Sequence, residues 1–324
     1  MPRIPFAFLV HPRADVRADA GRLWPPLRHL PERLLRRALE HPLPAVSMGT
    51  VHFADAPRDR AGHVLFVPVA ADRMLRPPRQ PVVDSVSKVI DRARRFGARI
   101  VGLGALTAPV TRGGRSVAGR EDVGVTNGNA FTAAITAEAT IRLLPHCPSG
   151  DPSIAIVGAT GSVGSCTARL LSDRFATSRM TLVARNDARL GLLADEIRRP
   201  GLHVDTSTDM RVLRQADLVV LVTSAPGALL RPEHLKTGAI VLDDTQPRNT
   251  QPGLLAARPD VTLVDGGLVS VPGVDLKADL GLAPGTSFAC LAETMLLALD
   301  GHDEDFCIGH PTLDQARHME HLAT

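Results

Sequence analysis

The sequence predicts an α/β protein in which a first α/β domain precedes a doubly wound one, and three observations predict it. From residue 153 onward, short apolar runs alternate with helical stretches, the pattern of a parallel sheet buried on both faces. Residues 1–150 also carry strand-like runs, but they are irregular and rich in proline and arginine. The most apolar helical stretch, residues 286–301, comes only after the regular sheet is complete. The expected division is a substrate-binding α/β domain at 1–150, a nucleotide-binding domain at 151–283 and a C-terminal helical segment at 284–324. The C-terminal helices are expected to pack back across the cleft between the domains, and the tail from Gly301 to be solvated.

In the first part, "PFAFLV", "HVLFVPVA" and "ARIVGLGAL" read as strands, with a helix over 82–96. A polar, glycine-rich loop at 111–129 leads into "NAFTAAITAEATIRLL", a helix with Phe131, Ala134 and Ile135 on one face, Glu138 and Arg142 as an i,i+4 pair and Asn129 as its cap. "PHCPSGDP", 145–152, reads as a linker. Then follow strand "SIAIVGA", helix 162–173, strand "MTLVAR", helix 187–198, a short strand near "LHVDTS", and strands "DLVVLVTS", "AIVLDD" and "VTLVDGG". In 286–301, Leu291, Met295 and Ala298 recur at helical spacing, Thr286 or Ser287 can cap the start and Gly301 the end.

Composition excludes several function classes. The 324 residues are 44% hydrophobic and 22% charged, ordinary for a soluble globular protein. A net charge of +3, 3% aromatics and no basic run interleaved with aromatics argue against a nucleic-acid surface. Cys147, Cys166, Cys290 and Cys307 show no metal-ligand spacing, so neither a zinc site nor a disulfide framework is expected. No stretch reads as a signal peptide or a membrane span, and the expected location is the reducing cytoplasm.

"SIAIVGATGSVGSCTARLL" places glycines at 158, 161 and 164, the first after a strand and the last inside a helix start. That is the context a dinucleotide fingerprint needs: a tight turn, close backbone approach to a pyrophosphate, and close helix–strand packing. Gly158, Thr160, Gly161, Ser162, Val163 and Gly164 are therefore the expected phosphate cradle of a Rossmann domain. The second strand of this domain ends at Arg185, with Asn186 next and Arg189 a turn later. Guanidinium groups pair with a 2′-phosphate, which favours NADPH over NADH. Thr223 and Ser224, in "VTSAPG" at 222–227, are expected to line the cofactor trough, although turn residues alone would look the same.

Cys290 falls in the first turn of the 286–301 helix. There the positive end of the helix dipole favours thiolate, the nucleophilic form. The plain structural reading is a small apolar residue, and the same reading holds for Cys147, Cys166 and Cys307.

The blocks "TNGNAFTA", "GATGSVGS", "LVARN", "VDGGLV" and "FACLAETMLLALDG" resemble those of the long-chain acyl-[acyl-carrier-protein] reductases, the fatty-aldehyde-forming type of cyanobacteria. The resemblance implies an NADPH-dependent reduction of a carrier-bound acyl thioester to an aldehyde, with Cys290 as the acylated nucleophile. It also implies that Thr107, in "LGALT", lines the substrate pocket, that an acyl carrier protein or coenzyme A delivers the acyl group, and that another enzyme consumes the aldehyde. The chain departs from the family in a first part richer in proline and arginine, and it contains no tyrosine.

Thr107, Thr126, Asn127 and Asn129 are the expected donors to an oxyanion or to a pantetheine arm; for the last three, ordinary turn chemistry in a T-N-G-N loop is an equal reading. Two further readings stay open. One is an NADP-dependent dehydrogenase of shikimate-type or methylene-tetrahydrofolate-type domain order, for which Lys88 is the sole lysine ahead of the Rossmann domain. The other is an NADPH-binding protein without chemistry.

Overall fold

The computed structural model describes residues 4–11, 17, 20–21, 25–39, 46–54, 62–74, 76–174, 177–225, 227–246 and 248–324. The chain divides into two compact units, one of Met1–Gly128, Val269–Gly309 and Leu322–Thr324, the other of Asn129–Leu268 and His310–His321.

The first unit begins with β1 (Phe6–Val10), α1 (Glu32–Leu39), β2 (Val46–Phe53), β3 (Gly62–Phe66), α2 (Gln80–Arg95), β4 (Ile100–Leu103) and β5 (Gly124–Thr126). The strand expected at "HVLFVPVA" stops at Phe66, ahead of Pro68. Strand β5 lies inside the stretch read from sequence as loop. Its three residues are too few to show a period, yet they pair in parallel with β4 and are fully buried. One face of α2 supplies Val82, Val86, Val89 and Ile90 to a core shared with Leu9, Leu65 and Val101.

The second unit opens with α3 (Asn129–Leu143), then β6 (Ile154–Val157), α4 (Ser162–Asp173), β7 (Arg179–Val183), α5 (Asp187–Ile197), β8 (His203–Ser207), β9 (Leu218–Leu221), β10 (Ile240–Asp243) and β11 (Thr262–Asp265). Its sheet has the order β11-β10-β9-β6-β7-β8, and every pairing is parallel. The order reverses between β6 and β9, which makes the carboxyl ends of those two strands the switch point where such sheets bind ligands. Buried β-branched and leucine residues on β6, β9 and β10 account for the continuous apolar runs of the sequence. The expected strands and helices of this region are present in the expected order.

After β12 (Leu268–Ser270) the chain returns to the first unit with β13 (Val274–Leu276), β14 (Thr286–Phe288) and α6 (Ala289–Asp300). Strand β13 pairs antiparallel with β2 and completes a mixed sheet of order β13-β2-β3-β1-β4-β5. Helix α6 belongs to this sheet: Ile4 N–H donates to Ala298 O at 2.9 Å, and a side chain at Gly102 of β4 would overlap Thr294.

The last helix, α7 (Leu313–Leu322), lies almost wholly in the second unit. Thr312 and Gln315 cap it reciprocally: Thr312 N–H donates to Gln315 Oε1 at 3.0 Å and Gln315 N–H to Thr312 Oγ1 at 3.1 Å. Arg174 reaches Glu320 at 2.6 Å. The tail read as solvated is therefore structured. Cys307, Ala316 and Met319 are fully buried, and the spacing of Ala316 and Met319 is hidden among the polar residues of α7. The units also differ from the ranges read from sequence: α3 belongs to the second, and 269–309 to the first.

Candidate functional site

In the second unit the glycine turn is built as its spacing requires. Gly158 has φ +91°, and a Cβ there would lie 2.7 Å from Val222 O. A Cβ at Gly164 would overlap Gly158 O, so helix α4 rests directly on the turn. Gly161 is the N-cap of α4, and no side chain caps the helix, a start of the kind that receives an anion. Ser162 and Val163 form the first turn, both partly exposed. Glycines that exclude any Cβ and an uncapped helix start fit a pyrophosphate.

Around this turn, Arg189 Nη2 donates to Thr160 O at 2.9 Å, tying α5 to the cradle. Asn186 caps α5 by accepting from Arg189 N–H at 3.0 Å. Arg185 is exposed at the end of β7. After β9, Thr223 Oγ1 accepts from Ala225 N–H at 3.1 Å, a turn bond, and Ser224 is exposed. Pro226, within "VTSAPG", lies outside the described residues.

Sequence reasoning missed Asp244, at the carboxyl end of β10. It accepts a hydrogen bond from Thr136 Oγ1 at 2.5 Å, and the Gly266–Gly267 turn closes over it so tightly that a side chain at either position would meet it. Desolvation pushes its carboxyl up to about 7; the Thr136 hydroxyl opposes the shift and the neighbouring Asp243 adds to it. Two adjacent glycines in "VDGG" were the available signal, since they mark close backbone approach to something.

In the first unit, Cys290 is the second residue of α6 and is half-buried. The N-cap is Phe288, with extended φ,ψ and no side-chain cap hydrogen bond. The hydroxyl cap expected from Thr286 or Ser287 is not formed, because both residues sit in β14. Thr286 Oγ1 donates to Ala283 O at 2.6 Å and Ser287 Oγ to Phe288 O at 3.0 Å. The helix end at Gly301 is as expected, with φ 81°.

Gly128, with φ +77°, lies directly against Cys290, so that any side chain there would overlap the cysteine Cβ. Thr126 Oγ1 donates to Glu293 Oε1, and Glu293 is fully buried. Neither Gly128 nor Glu293 stood out in the sequence: a turn glycine and an acid in an apolar helix become informative only when the fold pairs them with the cysteine.

The T-N-G-N residues have separate duties. Asn127 donates both amide hydrogens to backbone carbonyls, Gly113 O at 3.0 Å and Gly309 O at 3.0 Å, so its amide holds the loop. Asn129 is the first residue of α3 rather than its cap, and its amide donates to Ser162 Oγ at 2.9 Å, beside the glycine turn. Thr107 is fully buried and its hydroxyl donates to Gly104 O at 2.7 Å, a bond within the turn after β4.

Burial pushes Cys166 up to about 11, and burial with the Asp217 carboxylate raises Cys147. Cys307 is fully buried. Among the described residues no group of His, Cys, Asp and Glu is placed to hold a metal ion, and no helix is long and apolar enough to cross a membrane.

Residues 148–265 match the family model of shikimate / quinate 5-dehydrogenases. The matched stretch contains the glycine turn and the parallel sheet of the second unit. Across a longer stretch the chain is similar to the aminotransferase PigE of Serratia sp., with 29% identity over 277 residues, which are 81% of this chain and 31% of that protein. It is also similar to a long-chain acyl-[acyl-carrier-protein] reductase of Synechococcus elongatus, with 30% identity over 193 residues, 57% of this chain and 54% of that one. The matches thus span about a third of one relative (31%) and about half of the other (54%). Among solved structures, quinate dehydrogenase from Corynebacterium glutamicum in complex with NAD aligns over 98% of each chain, at 14% identity and a TM-score of 0.43.

Proposed function

We propose that this protein is an NADPH-dependent reductase that converts a carrier-bound acyl thioester to an aldehyde through an acyl-enzyme on Cys290. The observation that carries the reading is Cys290 itself, a half-buried thiol in the side-chain-uncapped first turn of α6 with the Gly128 backbone laid against it. The distant similarity to an acyl-carrier-protein reductase supports the same class of reaction.

In this mechanism the Cys290 sulfur attacks the acyl carbonyl and the carrier thiol leaves. The start of α6, with its helix dipole and no side-chain cap, stabilises the oxyanion. The dinucleotide, when bound, supplies the hydride. The resulting hemithioacetal on Cys290 collapses, releasing aldehyde and regenerating the thiolate. Gly158, Gly161 and Gly164 with the start of α4 would hold the pyrophosphate, Arg189 braces that turn through Thr160, and Arg185 would pair with the 2′-phosphate. The carrier is an acyl carrier protein or coenzyme A, and the aldehyde passes to a further enzyme.

The test is to incubate the protein with acyl-carrier thioesters of several chain lengths and NADPH, and to trap carbonyl products. NADPH oxidation matched by aldehyde supports the reading, and oxidation without aldehyde contradicts it.

A second reading, an NAD(P)-dependent alcohol dehydrogenase of the shikimate or quinate type, is favoured by the family match over 148–265. That chemistry would look to Lys88 as the lysine of the first unit. Lys88 is exposed, on the side of α2 away from the buried Val86, Val89 and Ile90. Oxidation of shikimate or quinate by the protein would establish this reading instead.

A further inference from the structure

Helix α6, "ACLAETMLLALD", is mostly apolar but carries a thiol, Cys290, in its first turn and a carboxyl, Glu293, in its buried middle. Glu293 follows Cys290 by three residues. On a helix, i and i+3 are neighbours on one face, with Cβ atoms about 5–6 Å apart.

Two contacts fix how that face meets the end of β5. Gly128 lies against Cys290, and Thr126 bonds Glu293. The segment 126–128 therefore runs antiparallel to the helix here, residue 126 over 293 and residue 128 over 290. Thr126 Oγ1 accepts from Cys307 N–H at 3.3 Å, which leaves its own hydrogen for the Glu293 carboxyl. Asn127 N–H in turn donates to Cys307 O at 3.0 Å, so the backing strand is held on both sides.

A fully buried carboxyl is costly to keep, even with a hydroxyl donor. Leucine or methionine would pack at this position beside Ala292 and Leu297 without that cost. Its position on the cysteine's own face is what distinguishes it from a structural hydrogen bond.

We propose that Glu293 handles the proton of the Cys290 thiol. The inference rests on the acyl-enzyme reading. As the Cys290 sulfur attacks the acyl carbon, its S–H bond breaks and Glu293 takes the proton. As the carbon–sulfur bond to the carrier breaks, Glu293 returns that proton to the leaving thiolate. One thioester replaces another, the carrier leaves as a neutral thiol, and nothing is oxidised or reduced. Thr126 is a positioning residue, aiming the carboxyl through its hydroxyl.

The experiment compares wild type with Glu293→Gln, which keeps the size of the side chain and an acceptor oxygen for Thr126. Acyl transfer from an octanoyl carrier thioester to the enzyme is followed by rapid-quench mass spectrometry without NADPH, from pH 5.5 to 9.5. Circular dichroism and NADPH titration report fold and cofactor binding. The expected result is a normal fold, unchanged NADPH affinity and an acylation rate reduced by roughly 10²–10⁴ at neutral pH, the size of a lost general base. The variant's rate should climb with pH as hydroxide takes over, which a merely structural loss would not produce.

Should the glutamine variant fail to fold, Thr126→Val leaves the carboxyl but not its donor, and is expected to displace the acid limb of the wild-type pH profile. Wild-type acylation matched by either folded variant at every pH overturns the role of Glu293 while leaving the acyl-enzyme intact. Absence of acylation in the wild type overturns both.

Discussion

The glycine turn of the second unit occupies one short stretch, Gly158 to Gly164, whereas the surroundings of Cys290 in the first unit join Thr126 to Glu293, 167 residues apart in sequence. In the turn, the same few residues supply the positive φ, the close approach to Val222 and the start of α4. Around the cysteine, Gly128 and the helix that carries Cys290 come from distant parts of the chain. A site made by local backbone geometry can be read from spacing, while a site made by topology waits for the strand order. The two regions also use glycine differently. Gly158 and Gly164 make room for backbone inside the turn, and Gly128 makes room for a side chain brought from far along the chain.

The sharpest way to break the first half of this comparison is Gly161→Val. A Cβ there would lie 3.0 Å from Gly158 O, tighter than usual but within reach of a small adjustment, whereas at Gly164 it would overlap the turn itself. The variant should fold, by circular dichroism, and lose NADPH affinity by more than about 100-fold, because the added side chain stands where the pyrophosphate must approach. Unchanged affinity in a titration would reduce the turn to a packing device.

The matching change on the other side is Gly128→Ala. It forces an alanine to φ +77° and pushes against Cys290. A displacement of about 1 Å at a reacting atom costs on the order of 10²-fold, so the rate of enzyme acylation should fall by that much. NADPH affinity, titrated alongside, separates this effect from a fault passed to the glycine turn through the neighbouring Asn129, which bonds Ser162. A variant acylated at the wild-type rate would remove the 126–128 segment from the site.

Arg185→Ala should act more weakly. Losing a charge-assisted partner costs about 1.5–3 kcal/mol, or roughly 10- to 100-fold in NADPH affinity, with NADH affinity nearly unchanged. Equal small losses for both cofactors would take Arg185 out of 2′-phosphate recognition.

The smallest expected effect is a pH dependence. In the folded protein the Asp244 carboxyl is raised to about 7 from 3.8. The folded state therefore keeps a proton that the unfolded chain loses. The stability this contributes is fully present below about pH 4 and is lost as pH rises through about 7. His63 and His234, lowered mainly by burial, act in the opposite sense over part of that range, but they are common to wild type and variant. Urea midpoints should therefore show wild type losing stability relative to Asp244→Asn between about pH 4 and pH 7. A constant difference across that range would mean that Asp244 is ionised throughout.

Most of the second unit was legible because its strands are buried on both faces and its helices begin and end at ordinary signals, such as the Asn186 cap. Strand β5 was not, since three residues carry no period, and its existence depends on pairing with β4. The cap of α6 was misread because "TSF" pairs as a strand, which turns the Thr286 and Ser287 hydroxyls away from the helix start. Helix α7 was hidden because its buried residues, Ala316 and Met319, stand among eight others that are mostly polar. Of the candidate site, the glycine turn and the place of Cys290 in a first helical turn were legible. Glu293 and Asp244 were not, for acids are common in helices and at strand ends, and only the burial of Glu293 and the desolvation of the Asp244 carboxyl mark them out.

The central claim is that Cys290 carries the acyl group. Wild type and Cys290→Ser, incubated with an acyl-carrier thioester in the absence of NADPH, should differ by the mass of one acyl group, mapped by peptide digestion to the segment containing residue 290. Added NADPH should discharge that mass as aldehyde, and the serine variant should bind NADPH normally while showing neither event. A serine variant that forms aldehyde at the wild-type rate would contradict the account and leave direct hydride transfer to the carrier thioester in its place.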